Sequence, residues 1–274
     1  MSKLAVTTLG CPDWDFETIV LNAKEMGYDA IELRGIKDVM RIEDLPIFAP
    51  DNLAKTKALL ADNGLCFCNA GTSVMFHDPA NRDAAMSEGK AAIDTCYRVG
   101  IPAIRVFGDA IPPGDTLEVV AARIADGIKE LCKYSREKTN GAVQIWLEVH
   151  GDFNTIKAIE LITEKLTDCP EFGVLWDVQH TYRSSTDPLN FYQQFKPIIR
   201  HIHFKDCDVE NGVAIIKVPG EGTLKLKEHY DIIEDGGYNG YYSFEYEKRW
   251  YPDLPGPEIA FPKFVELMRS FAKS

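Results

Sequence analysis

The sequence contains no apolar run of the ~18 residues that a membrane-crossing helix needs. Its opening residues carry no basic segment followed by an apolar one, so a cytoplasmic protein without a membrane partner is expected. Positive charge is scarce: 30 Lys and Arg stand against 42 Asp and Glu, a net charge of −12. A field of that sign repels phosphate backbones, so nucleic acid is not an expected partner, although a local basic pocket for one phosphate stays open. Cysteine is sparse and unpatterned, with seven residues, an odd count, and no metal-finger spacing. Cys66 and Cys68 stand two apart on one extended run and are expected to make poor disulfide partners. All seven are expected as reduced thiols, most of them buried. No linker-like stretch breaks the chain into parts.

What is present is a repeating unit. Residues 4–9, 28–34, 65–70, 103–107, 143–150, 172–176, 199–204 and 241–246 read as strands, each followed by a helical pattern. Asp15 is placed to cap the first helix and Gly27 to end it. Asp51, Asp115, Asn154 and Asp187-Pro188 are expected to start later helices. Eight strand–helix alternations imply a parallel sheet, and no strand looks like an edge. The expected fold is therefore an α/β class (β/α)8 TIM barrel, one domain over residues 1–274; about 250 residues is typical of that fold. Two longer connections stand out. Residues 35–50 are expected on the active-site side as a cover, and residues 213–218 as an extra strand or a rim of the site.

The polar strand ends carry the chemistry. Val143 to Val149 is β-branched and aromatic, yet holds Glu148, with His150 two residues on and on the same face of an extended chain. A carboxylate at the end of an apolar strand is costly unless a charge opposes it, and a metal ion is the simplest one. Three later strands end alike: Trp176-Asp177-Val178-Gln179-His180, His201-Ile202-His203-Phe204-Lys205-Asp206 and Ser243-Phe244-Glu245-Tyr246-Glu247. Glu148, Asp177, His203 and Glu245 offer three carboxylates and one imidazole. Such a set suits Mn²⁺ first, with Mg²⁺, Co²⁺ or Zn²⁺ as alternatives, and leaves positions open for substrate oxygens.

On these motifs, with Arg105 in Ile104-Arg105-Val106-Phe107-Gly108 and the turn Pro219-Gly220-Glu221-Gly222, the whole chain resembles the sugar phosphate isomerase/epimerase family of xylose-isomerase-like barrels. Its members include ketose 3-epimerases, inosose dehydratases, hydroxypyruvate isomerases and apurinic endonucleases. The resemblance implies that Glu148, Asp177, His203 and Glu245 hold one divalent ion and that Glu148 and Glu245 also act as acid and base. It implies a small sugar substrate, contacts from His180, and a homo-oligomer such as a dimer or tetramer. Removal of a proton beside a carbonyl through a metal-stabilised enediolate would give epimerisation or isomerisation, and loss of a β-hydroxyl would give dehydration.

Five further residues are candidates for substrate binding: His180, His150, Arg105, Glu32 and Lys205. His150 either touches substrate or orients a ligand. Arg105 either holds a phosphate or neutralises Glu32 or Glu148. Glu32 either lies near the substrate or pairs with an arginine, and Glu148 alone would read as a partner of Lys205. Trp14, Phe76 and Trp250 are candidates for an apolar wall. The endonuclease branch uses three zinc ions and further histidines on strands three and four. Here those strands carry none, and the acidic balance also opposes DNA. A sugar-binding barrel without catalysis is a third alternative.

Overall fold

Eight strands close a parallel barrel in this computed structural model, which describes residues 2–273; Met1 and Ser274, the ends of the expected domain, lie outside the described residues. The chain runs β1 (Lys3–Thr7), α1 (Phe16–Met26), β2 (Ala30–Leu33), α2 (Pro50–Asp62), β3 (Cys66–Met75), α3 (Arg82–Val99), β4 (Ala103–Phe107) and α4 (Leu117–Thr139). It continues through β5 (Gln144–Glu148), α5 (Ile156–Thr163), β6 (Phe172–Asp177), α6 (Val178–Arg183), α7 (Pro188–Phe195) and β7 (Ile199–Phe204). A β8 (Asp206–Glu210) and β9 (Val213–Lys217) hairpin precedes α8 (Leu226–Asp235), β10 (Tyr241–Phe244) and α9 (Pro257–Phe271). Around the barrel the order is β1-β10-β7-β6-β5-β4-β3-β2. Among the described residues no helix is long and apolar enough to cross a membrane.

Local chemistry explains most boundaries. Asp15 accepts the Thr18 amide and caps α1, and Gly27 ends it at φ +87°, where a Cβ would strain the backbone. Asp187 caps α7 through the Asn190 amide, with Pro188 at the first helical position. Two expected caps are corrected. Thr116, not Asp115, caps α4 through the Val119 amide, and Asp115 pairs with Arg123 at 3.0 Å. Thr155, not Asn154, caps α5 through the Ala158 amide. β3 runs five residues beyond its expected end, with a register break against β4 between Gly71 and Met75. The segment after β2 folds into two 3-10 turns whose Ile42, Leu45 and Phe48 are buried in the main core, so it is anchored rather than a free cover.

Outward-facing strand residues pack with the helices into one large core. Of the expected aromatic wall, Trp14 packs edge-on against Phe261 and Phe76 is buried against α4 at Gly127; Trp250 is half exposed. All seven cysteines are free, with Cys66 exposed and Cys68 buried.

Candidate metal centre

Four neighbouring barrel strands deliver four ligand-type side chains to one point. β5 ends at Glu148 and β6 at Asp177, which pairs in register with His203 of β7. Glu245 follows β10, its amide donating to Phe204 O at 3.2 Å, so the eighth barrel strand stays in step with β7 to its last residue. Parallel strands in register place their C-terminal ends at one level, which is why distant residues meet there. His203 Nδ1 lies 3.2 Å from Glu148 Oε1, 3.2 Å from Glu245 Oε2 and 3.9 Å from Asp177 Oδ2. One donor atom from each residue falls within 4.8 Å of all the others, and all four residues are buried.

The donor set fits a divalent ion. Asp177 uses Oδ1 to accept the Gln179 and His180 amides at the start of α6, leaving Oδ2 directed at the site, where the Lys205 ammonium lies 2.7 Å away. Glu148 Oε2 likewise faces a cation, with Arg105 Nε at 3.0 Å. Buried carboxylate oxygens that face positive charge rather than backbone amides are suited to a cation. Asp177 therefore is both a helix cap and a candidate ligand.

Lys205, 1% exposed, reaches the same cluster from the end of β7. Its Nζ lies 2.7 Å from Asp177 Oδ2, 2.5 Å from Glu245 Oε2 and 2.6 Å from Glu247 Oε1. It does not pair with Glu148, whose cation is Arg105. Burial opposes the charge on Lys205, but Asp177 and Glu245 outweigh it and hold the ammonium well above its ordinary pKa. Burial lifts Asp177 to about 6 against the pull of Lys205. In Glu245 burial is outweighed by His203 and Lys205, and in Glu148 by Arg105, so both carboxyls stay below their ordinary value.

Glu32 does not face the substrate space as expected, nor does it pair with an arginine. It lies beneath His203 and accepts from His203 Nε2 at 2.9 and 3.0 Å, His201 Nε2 at 2.7 Å and Asn69 Nδ2 at 3.1 Å. Side chains alternate along β2, so Glu32 points inward, where it meets His201 and His203 and does not line the cavity above the cluster. His201 stacks on Trp146, at 5.5 Å between centroids, and completes this floor.

The space above the cluster is a cavity of about 290 Å³ lined by Glu148, Glu245, Arg105, His150, Trp250 and others. His150 has left the strand in a bridge to Phe153, with its Nδ1 3.4 Å from Asp109 Oδ1. Burial is outweighed there by Asp109, which raises the His150 pKa. His180, expected to touch substrate, lies on α6 with its ring 4.4 Å from that of His150 and is not part of the cavity lining. Burial and the nearby His150 keep it well below the ordinary imidazole value. A larger cavity of about 480 Å³, between α5 and the start of β7, contains none of these residues. The sequence reading passed over Arg34 and Asp109, which also line the site. Arg34 was within reach of the strand-face argument, two residues after the inward Glu32.

The model of the xylose isomerase-like TIM barrel family matches residues 20–269. An inosose dehydratase of Lacticaseibacillus casei is 30% identical over 146 residues, 46% of this chain and 47% of that protein, so the chain matches about half the length of these relatives. A fructoselysine 3-epimerase of Shigella flexneri is 25% identical over 264 residues, 89% of each chain. Among solved structures, the IOLI protein with a bound zinc atom superimposes with a TM-score of 0.79 at 18% identity, covering 98% of this chain and 99% of that one. The 3-keto-D-glucoside 4-epimerase YcjR of E. coli gives 0.74 at 16% identity, covering 98% and 100%. The eight-stranded parallel barrel expected from the strand pattern is the fold they share.

Proposed function

The chain belongs to the xylose isomerase-like TIM barrel family, and on that premise we propose that it is a divalent-metal-dependent isomerase or epimerase of a small sugar or keto-polyol. The observation that carries the reading is the meeting of Glu148, Asp177, His203 and Glu245 at the C-terminal ends of β5, β6, β7 and β10. Epimerases and dehydratases among the relatives support an enzyme of this kind.

Those four residues would hold the ion, Mn²⁺ first and Mg²⁺, Co²⁺ or Zn²⁺ as alternatives. A divalent ion bound there supplies a Lewis acid that polarises a carbonyl and favours loss of the adjacent proton. Glu245, kept ionised by His203 and Lys205, and Glu148, kept ionised by Arg105, are the groups that take up and return that proton. Return on the opposite face inverts the carbon; return to the neighbouring carbon on one face gives isomerisation. His150 and Arg105, at the cavity wall, bind substrate oxygens, and His180 holds the His150 ring from behind. Water is limited by the buried floor of Glu32, His201 and Trp146.

Dehydration is a second reading, favoured by one observation. The Lys205 ammonium lies at Glu245 and Asp177, where its charge can stabilise a departing hydroxyl through a hydrogen bond. NMR of metal-loaded protein in D₂O with ketohexoses and with an inosose separates the two. Solvent deuterium at the carbon beside the carbonyl with all oxygens retained means isomerase or epimerase, and loss of water means lyase. Glu148→Gln and Glu245→Gln are each expected to lower kcat by ~10²-fold or more. Full activity in both variants sinks the assignment.

A further inference from the structure

Arg34 stands directly after β2 and is 8% exposed. Its Nη2 donates to Ser73 Oγ at 2.9 Å, and among the described residues no carboxylate oxygen lies within 4.0 Å of its guanidinium. The other cations around the site are matched. Lys205 meets Asp177, Glu245 and Glu247, Arg105 meets Glu148, and His150 meets Asp109. Glu88, an acid whose field reaches Arg34, uses Oε1 to accept the Ser73 amide at 2.7 Å. Arg34 is left over.

Arg105 sits beside it. A Cβ built on Gly71 would fall 2.6 Å from Arg34 Cδ and 3.5 Å from Arg105 Nη2, so two guanidinium side chains converge over bare backbone of β3. Both line the cavity that Glu148 and Glu245 also line. Two like charges in a low-dielectric wall repel each other. Burial, then Arg105, draws the Arg34 pKa down to about 10. Glu88, Glu245 and Glu148 act on Arg34 only through space, and a buried guanidinium with no carboxylate in contact adds little to stability. Its fork of N–H donors suits an oxyanion, which would also relieve the repulsion.

We propose that Arg34, with Arg105 beside it, recognises a carboxylate or phosphate on the substrate, so that the enzyme acts on an anionic keto-polyol. This rests on the isomerase reading for the keto end of the molecule; the arginine pair holds the other end. A cavity of about 290 Å³ is at the small end for ligand pockets and suits one small acid or sugar phosphate, not an oligosaccharide.

The test uses the metal-loaded full chain and three probes that differ only at C6: D-fructose, D-fructuronate and D-fructose 6-phosphate. Calorimetry is expected to show one anionic probe binding ~10-fold or more tighter than D-fructose. The stronger of the two identifies the oxyanion. In Arg34→Gln that preference is expected to shrink to within ~3-fold. The melting temperature of Arg34→Gln should fall little, because no carboxylate contacts the charge removed. Equal binding of all three probes overturns the proposal, as does an undiminished preference in Arg34→Gln. A fall of several degrees with preference retained assigns Arg34 to structure instead. If Arg34→Gln does not fold, Arg34→Lys decides: it keeps the charge but not the fork, and an unchanged preference overturns the proposal. Arg34-dependent anion binding without proton exchange in D₂O keeps this site and sinks the isomerase reading. Exchange on D-fructose with no anionic preference does the reverse.

Discussion

Replacing Glu32 by Gln preserves volume and removes the one negative charge beneath His203. Glu32 accepts four contacts, from His203 Nε2 at 2.9 and 3.0 Å, His201 Nε2 at 2.7 Å and Asn69 Nδ2 at 3.1 Å. The two imidazoles outweigh burial and hold its carboxyl far below the usual range, so the interaction is one of charge as well as geometry. With Nε2 fixed downward, Nδ1 of His203 is left facing Glu148, Glu245 and Asp177. A carboxylate that orients a ligating histidine changes metal affinity by ~10–100-fold, or about 1.4–2.8 kcal/mol. A hydrogen bond to a charged group, worth about 1.5–3 kcal/mol, gives the same scale. Glu32→Gln is therefore expected to weaken Mn²⁺ binding ~10–100-fold, read by competition with a chromogenic chelator. At saturating Mn²⁺ the KM for substrate should change little. A raised KM with unaltered Mn²⁺ affinity would refute this reasoning and return Glu32 to the substrate wall where its sequence position first put it.

Three other outcomes follow from the same geometry. Lys205→Met leaves Asp177, Glu245 and Glu247 facing one another without their ammonium, so the metal-free protein should lose about 3–5 kcal/mol, with part regained on adding Mn²⁺; identical melting of the two metal-free proteins would count against it. Glu171, buried and gripped by Arg136 through contacts of 2.8 and 2.7 Å, has its pKa lowered by that hydrogen bond. Its contribution is thus full above the unfolded value of about 4.3 and is lost as pH falls through the depressed folded value. The melting gap between wild type and Glu171→Gln should be present at pH 7 and close in acid, and a gap that widens in acid reverses the sign. Gly127→Ala in α4 would place a Cβ on the Phe76 ring, so it should destabilise by about 1–3 kcal/mol despite the better helix propensity of alanine; a raised melting temperature would show that Phe76 moves aside freely.

The fold was legible because its signals are local. Asp15, Gly27 and Asp187 act on backbone groups within five residues, and strand runs such as 103–107 and 199–204 coincide with β4 and β7. The misplaced caps at Asp115 and Asn154 each lie one residue from a threonine that serves instead. Neighbouring residues of similar capping ability are separated only by backbone angles that the packed structure imposes. The added length of β3 also depends on its neighbour β4, with which Met75 pairs.

By itself the sequence determined which residues face inward and at which strand ends they fall, because alternation along a strand is a property of the chain alone. That brought Glu148, Asp177, His203 and Glu245 together with His201 and Glu247, which share two of their faces, and the family resemblance favoured Glu245 over Glu247. Depth and partnership are relations between strands, and only closure of the barrel decided them. Closure set Glu32 against His203 and His201, gave Glu148 to Arg105 and Lys205 to three other carboxylates, and left Arg34 without a carboxylate in contact. The physical reason is that a charge's worth depends on its distance to other charges in a medium of low dielectric, and those distances do not exist until the barrel does.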